Sequence, residues 1–174
     1  MSFNEGEETQ LVERAAAGNN EAFAALFEAY YSMINGFAYR MCFIREDAQD
    51  VAQETFIKAA RSLQSFNKRT SFKQWLYRIA LNTCHDRNRS QVRKERIATA
   101  YAEEGQTLEV ADYSFVHRAL ESLDESLRLT ITLVYMEGMS HADAASVLGC
   151  AEATMSWRIF MARRKLKRLI GDAA

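Results

Sequence analysis

Three groups of side chains in this chain of 174 residues have types and spacings that could do chemistry, and in each case the chemistry is recognition rather than bond making. The first is Asp47, Asp50, Gln53 and Glu54, together with Glu46, which fall largely off the apolar stripe of a helical segment. Carboxylates gathered on one exposed helix face can pair with arginine forks bidentately. The second is Phe66-Asn67-Lys68-Arg69-Thr70-Ser71-Phe72, a basic loop bounded by aromatics. Beside it Arg78, Asn82, His85 and Arg89 recur at i, i+4, i+7 and i+11, a single polar stripe with Trp75 at its edge. Aromatic rings that stack a base, with cations clamping the backbone, are how single strands are held. The third is Ser156, Trp157, Phe160, Arg163, Arg164 and Lys167, which lie roughly opposite Met155, Ile159, Ala162, Leu166 and Leu169. An apolar inner face that docks a helix and a basic, aromatic outer face suit a helix laid on duplex DNA.

Enzymatic and metal chemistry lack the residues they need. His85, His117 and His141 are far apart, and no glycine-rich phosphate loop, Ser-His-Asp order or metal-ligand spacing occurs. Cys42, Cys84 and Cys150 are odd in number and scattered, which is no disulfide framework. Cys84 and His85 are neighbours, and neighbours on a helix point about 100° apart. A redox or metal sensor built on Cys42, Cys84 and His85 is a weaker reading. No cofactor and no metal are expected. No stretch approaches the roughly 20 apolar residues of a membrane span. Met1–Gln10 is polar and acidic, unlike a signal peptide, so a cytoplasmic protein with no membrane insertion is expected.

A net charge of −1 conceals four blocks. Met1–Ile57 has ten acids and three bases, Lys58–Arg96 eleven bases and two acids, Ile97–Trp157 ten acids and two bases, and Arg158–Ala174 six bases and one acid. One charge run is commonly just a solvated face. Alternating blocks, with aromatics in both basic ones, point to more than one charged partner, and the basic blocks suit a polyanion.

The elements that must position these groups are helices. The chain has no proline, seven glycines and no strand-like alternation, so an all-α fold is predicted. Phe23, Leu26, Phe27, Tyr30, Ile34, Phe37 and Met41 form one helical stripe. Ala48, Val51, Ala52, Thr55, Phe56, Ala59 and Leu63 form a second. Ser71 with Gln74 is capping-box spacing for a third helix that turns Phe72, Leu76, Ile79, Ala80 and Thr83 inward. This first domain is expected over 1–92. The apolar period then fades, and 93–113 reads as a flexible linker. A second domain, 114–174, is expected to hold a helix entered through Ser122 and Glu125 and ending at Gly138. A short helix follows, capped by Ser140 and closed by Gly149, and then a last helix from about Glu152 to Leu169. A short helix, a turn and a longer basic helix form the helix-turn-helix pattern.

At this point the residues resemble a family. Asp47-Ala-Gln-Asp50-Val-Ala-Gln53-Glu54-Thr-Phe56 is similar to the D-A-x-D-x-x-Q-E-x-F signature of extracytoplasmic-function sigma factors of RNA polymerase, the small two-domain type. Ser71-Phe72-Lys-Gln-Trp75-Leu76-Tyr77-Arg78-Ile79-Ala80-Leu-Asn82 resembles their S-F-x-x-W-L-Y-R-I-A-x-N segment, with no gap between the two. Both belong to region two. In region four, Glu137-Gly138-Met139-Ser140 resembles E-G-L-S, Leu148-Gly149-Cys150 resembles L-G-I, and Thr154-Met-Ser-Trp-Arg158 resembles T-V-K-S-R. Three departures from the pattern occur. Leu123-Asp124 stands where Leu-Pro is common, Ser156-Trp157 where Lys-Ser is common, and Met161 where Arg is common.

The resemblance implies a factor that binds core RNA polymerase, through the clamp of the largest subunit and the flap of the second-largest, and directs it to promoter DNA. Asp47, Asp50, Gln53, Glu54 and Phe56 would meet the clamp. Phe66 to Phe72, Trp75, Arg78, Asn82, His85 and Arg89 would recognise and open the minus-ten element. Thr154, Ser156, Trp157, Arg158, Phe160, Arg163, Arg164 and Lys167 would read the minus-thirty-five element. The linker would thread into the polymerase's basic channel. An anti-sigma factor is the expected inhibitor. The competing reading is a free-standing helix-turn-helix regulator, which leaves the first 92 residues without a role.

Overall fold

The computed structural model describes residues 3–98 and 114–171. It consists of helices, with no strand among the described residues. The chain separates into two compact units, Met1–His85 and Asp86–Ala174.

In the first unit, α1 (Glu5–Ala16) was not foreseen from apolar periodicity. Its start is local chemistry. The Asn4 Oδ1 accepts from the Glu7 N–H at 2.9 Å, and the Glu7 carboxylate accepts from the Asn4 N–H at 3.1 Å, a reciprocal capping box. The second helix, α2 (Asn20–Cys42), is capped by Asn19 and ends at Phe43, a non-glycine residue in the left-handed region at φ 60°. Next comes α3 (Arg45–Ser62), closed by a 3₁₀ turn over Leu63–Ser65. Then α4 (Phe72–Ala98), which belongs to this unit as far as His85, begins with the expected cap: the Ser71 Oγ accepts from the Gln74 N–H and the Gln74 Oε1 accepts from the Ser71 N–H, both at 3.2 Å.

The core of this unit follows the two predicted stripes in part. Leu26, Ile34, Phe37 and Met41 of α2 pack with Val51, Ala52, Thr55, Phe56 and Ala59 of α3. Phe23 and Phe27 are not buried with them. They sit at the edge of the stripe, and Phe27 stays exposed. From α4 come Phe72, Leu76, Ala80 and Thr83, as expected, but the fully buried ring is Tyr77, edge-on to Phe37 with centroids 5.2 Å apart, while Ile79 is only half-buried. Thr55 is tolerated in the interior because its hydroxyl donates to the Val51 carbonyl at 2.6 Å.

The second unit contains α5 (Ser114–Glu121), α6 (Glu125–Ile131) continued by a π-helical turn (Thr132–Met136), α7 (His141–Leu148) and α8 (Glu152–Gly171). Asp124, not Ser122, caps α6: its carboxylate accepts from the Leu127 N–H at 3.1 Å and from the Ser126 hydroxyl at 2.9 Å. The Ser122 hydroxyl instead donates back to the Ala119 carbonyl. The residue standing in place of the common proline thus supplies the missing cap. Partial burial works against ionisation of Asp124, but these hydrogen bonds and the nearby Lys165 outweigh it and hold the carboxyl below its ordinary value of 3.8. Ser140 caps α7 as expected, and Gly149 closes it at φ 62°, a conformation that glycine adopts without strain. Leu127, Ile131, Leu133, Ala144, Val147, Met155, Ile159 and Ala162 form the interior.

Candidate nucleic-acid interface

The predicted acidic face of α3 divides in two. Asp50, Gln53 and Glu54 are exposed, whereas Asp47 is 8% exposed and Phe56 only 4%. Phe56 packs edge-on against Phe27, centroids 4.8 Å apart, and closes the floor of an open apolar groove lined by Phe23, Phe27, Gln53, Ile57 and Ala60. Gln53 lines the groove and its chain neighbour Glu54 is exposed, so α3 offers charge and apolar area close together.

The basic loop after α3 is tightly built. The Phe66 N–H donates to the Leu63 carbonyl, and the Asn67 side chain accepts from the Arg69 N–H at 3.1 Å, so the loop turns on its own side chain. Lys68 occupies the left-handed region at φ 57°. Non-glycine residues held there recur at functional sites. Asn67, Lys68, Arg69 and Ser71 point to solvent, and Phe66, Thr70 and Trp75 are half-buried. Phe72 is 3% exposed and belongs to the core, with Tyr30 stacked edge-on at 5.5 Å. Phe66 and Trp75 lie 5.1 Å apart, centroid to centroid, so Trp75 is supported on one side and part-open on the other.

The loop and α1 together form a recess of about 390 Å³ lined by Glu8, Thr9 and Val12 on one side and Phe66, Lys68 and Thr70 on the other. Lys68 pairs with Glu13, and the Tyr30 hydroxyl donates to the Glu8 carboxylate. Burial first, and then that carboxylate, push the Tyr30 phenol upward, so it stays protonated and acts as a donor. Sequence reasoning missed this α1 wall. The usable signal was Asn4 with Glu7, a capping box preceding Leu11, Val12 and Ala15.

Along α4, Arg78 and Asn82 are exposed and His85 is half-buried, so these three share the outward stripe that their spacing predicts. The side chain of Arg89 lies outside the described residues, as do residues 99–113 of the expected linker. The helix itself continues to Ala98.

In the second unit, α7, the Gly149 turn and α8 form a helix-turn-helix. The Cys150 N–H donates to the Ala145 carbonyl at 3.0 Å, tying the turn to α7. On α8, Met155, Ile159 and Ala162 are buried, while Ser156, Trp157, Phe160, Arg163, Arg164 and Lys167 are all exposed, as their spacing predicts. Thr154 and Arg158 are half-buried. Leu166 is half-buried and Leu169 is 38% exposed, so the inner face loosens toward the helix end. The Arg163 guanidinium lies 5.2 Å from the centre of the Tyr135 ring, a cation–π contact from α8 to the end of the π-helical turn. Among the described residues no cluster of His, Cys, Asp or Glu could hold a metal ion, and no helix is long and apolar enough to cross a membrane.

Comparison with known proteins agrees with both halves. Sigma-70 region 2 matches residues 26–94 and sigma-70 region 4 matches residues 116–166. The RNA polymerase sigma-H factor of Pseudomonas aeruginosa is 34% identical over 94% of this chain and 94% of its own length. The ECF RNA polymerase sigma-E factor of Haemophilus influenzae is 33% identical over 92% and 93% respectively. Among solved structures, CnrH in complex with the cytosolic domain of CnrY superposes with a TM-score of 0.77 at 30% identity, covering 97% of this chain and 99% of that one. The sigma factor RpoE of Bartonella quintana, in complex with the anti-sigma factor NepR, superposes with a TM-score of 0.75 at 27% identity, covering 86% and 96%. With both sigma regions matched and full-length relatives of the same kind, this chain belongs to the extracytoplasmic-function sigma factors of RNA polymerase.

Proposed function

We propose that the chain acts in the cytoplasm as an alternative sigma factor that binds core RNA polymerase, selects promoters, helps melt them and so starts transcription. One observation carries this reading. An exposed basic, aromatic helix face and a recess flanked by Lys68 and Arg69 occur on the same chain as an exposed acidic face that DNA would repel. A free-standing regulator needs only the first of these.

The division of labour follows the units. Residues 1–92 act as region two, 93–113 as the linker and 114–174 as region four. Asp50, Gln53 and Glu54 meet the clamp of the largest polymerase subunit directly. Asp47 and Phe56 act from beneath, Phe56 by shaping the apolar groove. At the minus-ten element a base of the opened strand enters the recess beside Phe66 and Thr70. Asn67, Lys68, Arg69 and Ser71 hold the backbone, Phe72 supports the floor and Trp75 stacks at the edge. Arg78, Asn82, His85 and Arg89 follow the strand along α4. At the minus-thirty-five element Arg163, Arg164 and Lys167 take phosphates, with Thr154, Ser156, Trp157, Arg158 and Phe160 nearer the base edges. The flap of the second-largest subunit holds the second unit in place. Structures of two similar proteins in complex with partners, one the cytosolic domain of CnrY and one named an anti-sigma factor, support control of this chain by an anti-sigma factor.

Size-exclusion chromatography with sigma-free core RNA polymerase tests the reading. Co-elution, reversed by a competing sigma factor, is expected. Separate elution at micromolar concentration, with tight duplex binding by the chain alone, would replace it with a free-standing regulator.

A further inference from the structure

Trp157 and Phe160 are the most exposed large apolar side chains among the described residues, at 59% and 61%. They sit one turn apart on the outer face of α8, with Arg163, Arg164 and Lys167 exposed on the same face. The neighbouring Ser156 is turned toward the supporting helix, its hydroxyl 3.4 Å from the His141 Nδ1 at the start of α7. Among the described residues Trp157 has no such tether, and its ring stands out from the first turns of α8, where a recognition helix meets base edges. Three cations on that face favour a polyanion as the occupant.

The chemistry of the major groove then narrows what these rings can read. Its base edges carry hydrogen-bond donors and acceptors, and its one apolar group is the C5 methyl of thymine. A phenyl ring satisfies none of the polar groups, and burying it against them leaves them unpaired. Against a methyl it removes apolar surface from water on both sides. An indole adds a single N–H donor and is otherwise in the same position.

We infer that Trp157 and Phe160 read thymine methyl groups in the minus-thirty-five duplex, so that this chain selects thymine at the positions they cover. The inference rests on α8 being the duplex-reading helix of the proposed sigma factor. Trp157 stands where the common family pattern has Ser, which makes the selection a property of this chain rather than of the pattern.

The test uses core polymerase reconstituted with the full chain. Duplexes randomised upstream of a fixed, pre-melted segment are selected for binding, once with thymidine and once with deoxyuridine, which lacks the methyl. Thymine should be enriched within the minus-thirty-five window of the natural pool. Replacing each contacted thymidine of the selected site with deoxyuridine should weaken binding about fourfold, the effect of burying one carbon group. Trp157→Ser and Phe160→Ser should each abolish that sensitivity at one position. An enriched motif that holds no thymine, or that binds equally well with deoxyuridine, overturns the inference and leaves α8 as the reader. Absence of any enriched motif overturns the reading of α8, and the inference with it.

Discussion

The two units present nucleic acid with opposite shapes. In the first, the aromatic groups are drawn in: Phe72 is buried, Phe66 and Trp75 are half-buried, and the cations stand around a concave recess. In the second, the aromatic groups are thrust out: Trp157 and Phe160 stand on a convex helix among exposed arginines. A recess suits a base that has left its stack, because an unstacked base has two faces to cover. A convex helix suits an intact groove, where only base edges are accessible. The contrast teaches that similar residue types, aromatic with Lys and Arg, can be presented on surfaces of opposite curvature, a difference that fits the proposed division between melting in one unit and reading in the other.

The largest expected effect would remove both proposed uses together, since in the proposed function each acts on the polymerase. Asp50→Lys reverses charge on the exposed face of α3 and should lower affinity for core polymerase at least roughly a hundredfold, measured by competition with another sigma factor. Thermal unfolding should not change, because Asp50 is exposed; unchanged affinity would leave the acidic face without a role. The next effect should split the units. Asn67→Ala combined with Lys68→Ala should slow open-complex formation by roughly tenfold, about the worth of one charge-assisted contact to the strand backbone, without altering holoenzyme formation. Permanganate footprinting reads this directly, and normal melting would take the recess out of the mechanism. Arg164→Ala should do the reverse. Duplex binding should weaken about equally across sequences, its salt slope should fall by about 1, and melting of a pre-bound promoter should be spared.

The smallest effect concerns the platform under α8. Asp124→Ala removes the cap of α6 and should cost about 1 kcal/mol at neutral pH. The Asp124 carboxyl is held below 3.8 in the folded chain. Its contribution is therefore complete above that value and is lost as pH falls through the lower, folded-state value. Denaturation curves of wild type and variant should converge in strong acid. A gap that persists there would mean that the cap does not act through the ionised form.

Much of the second unit's site was legible because its signals are local. Ser140 capping α7, Gly149 closing it, and the buried spacing of Met155, Ile159 and Ala162 all act within a few turns of chain. Ser71 with Gln74 was legible for the same reason. Asp124 was not read as a cap because Ser122 and Glu125 offered a competing box two residues earlier, and only the fold of the backbone decided between them. Apolar spacing likewise placed Phe56 inward, while the family signature assigned it to a partner surface; the structure has it on the floor of a groove, beneath that surface.

The sequence by itself determined the helices with strong caps, the outward face of α8, the polar stripe of α4 and, through two matched motifs, the kind of protein this is. Only the tertiary structure decided that α1 walls the recess, that Asp47 turns inward, that Phe56 floors a groove, and that Tyr77 rather than Ile79 fills the core. The physical reason is range. Capping bonds and helical periodicity join residues three or four apart, and they can be read along the chain. Lys68 of the recess pairs with Glu13 of α1, 55 residues away, and such a meeting is set by how α1, α2 and the loop pack, which no local pattern encodes.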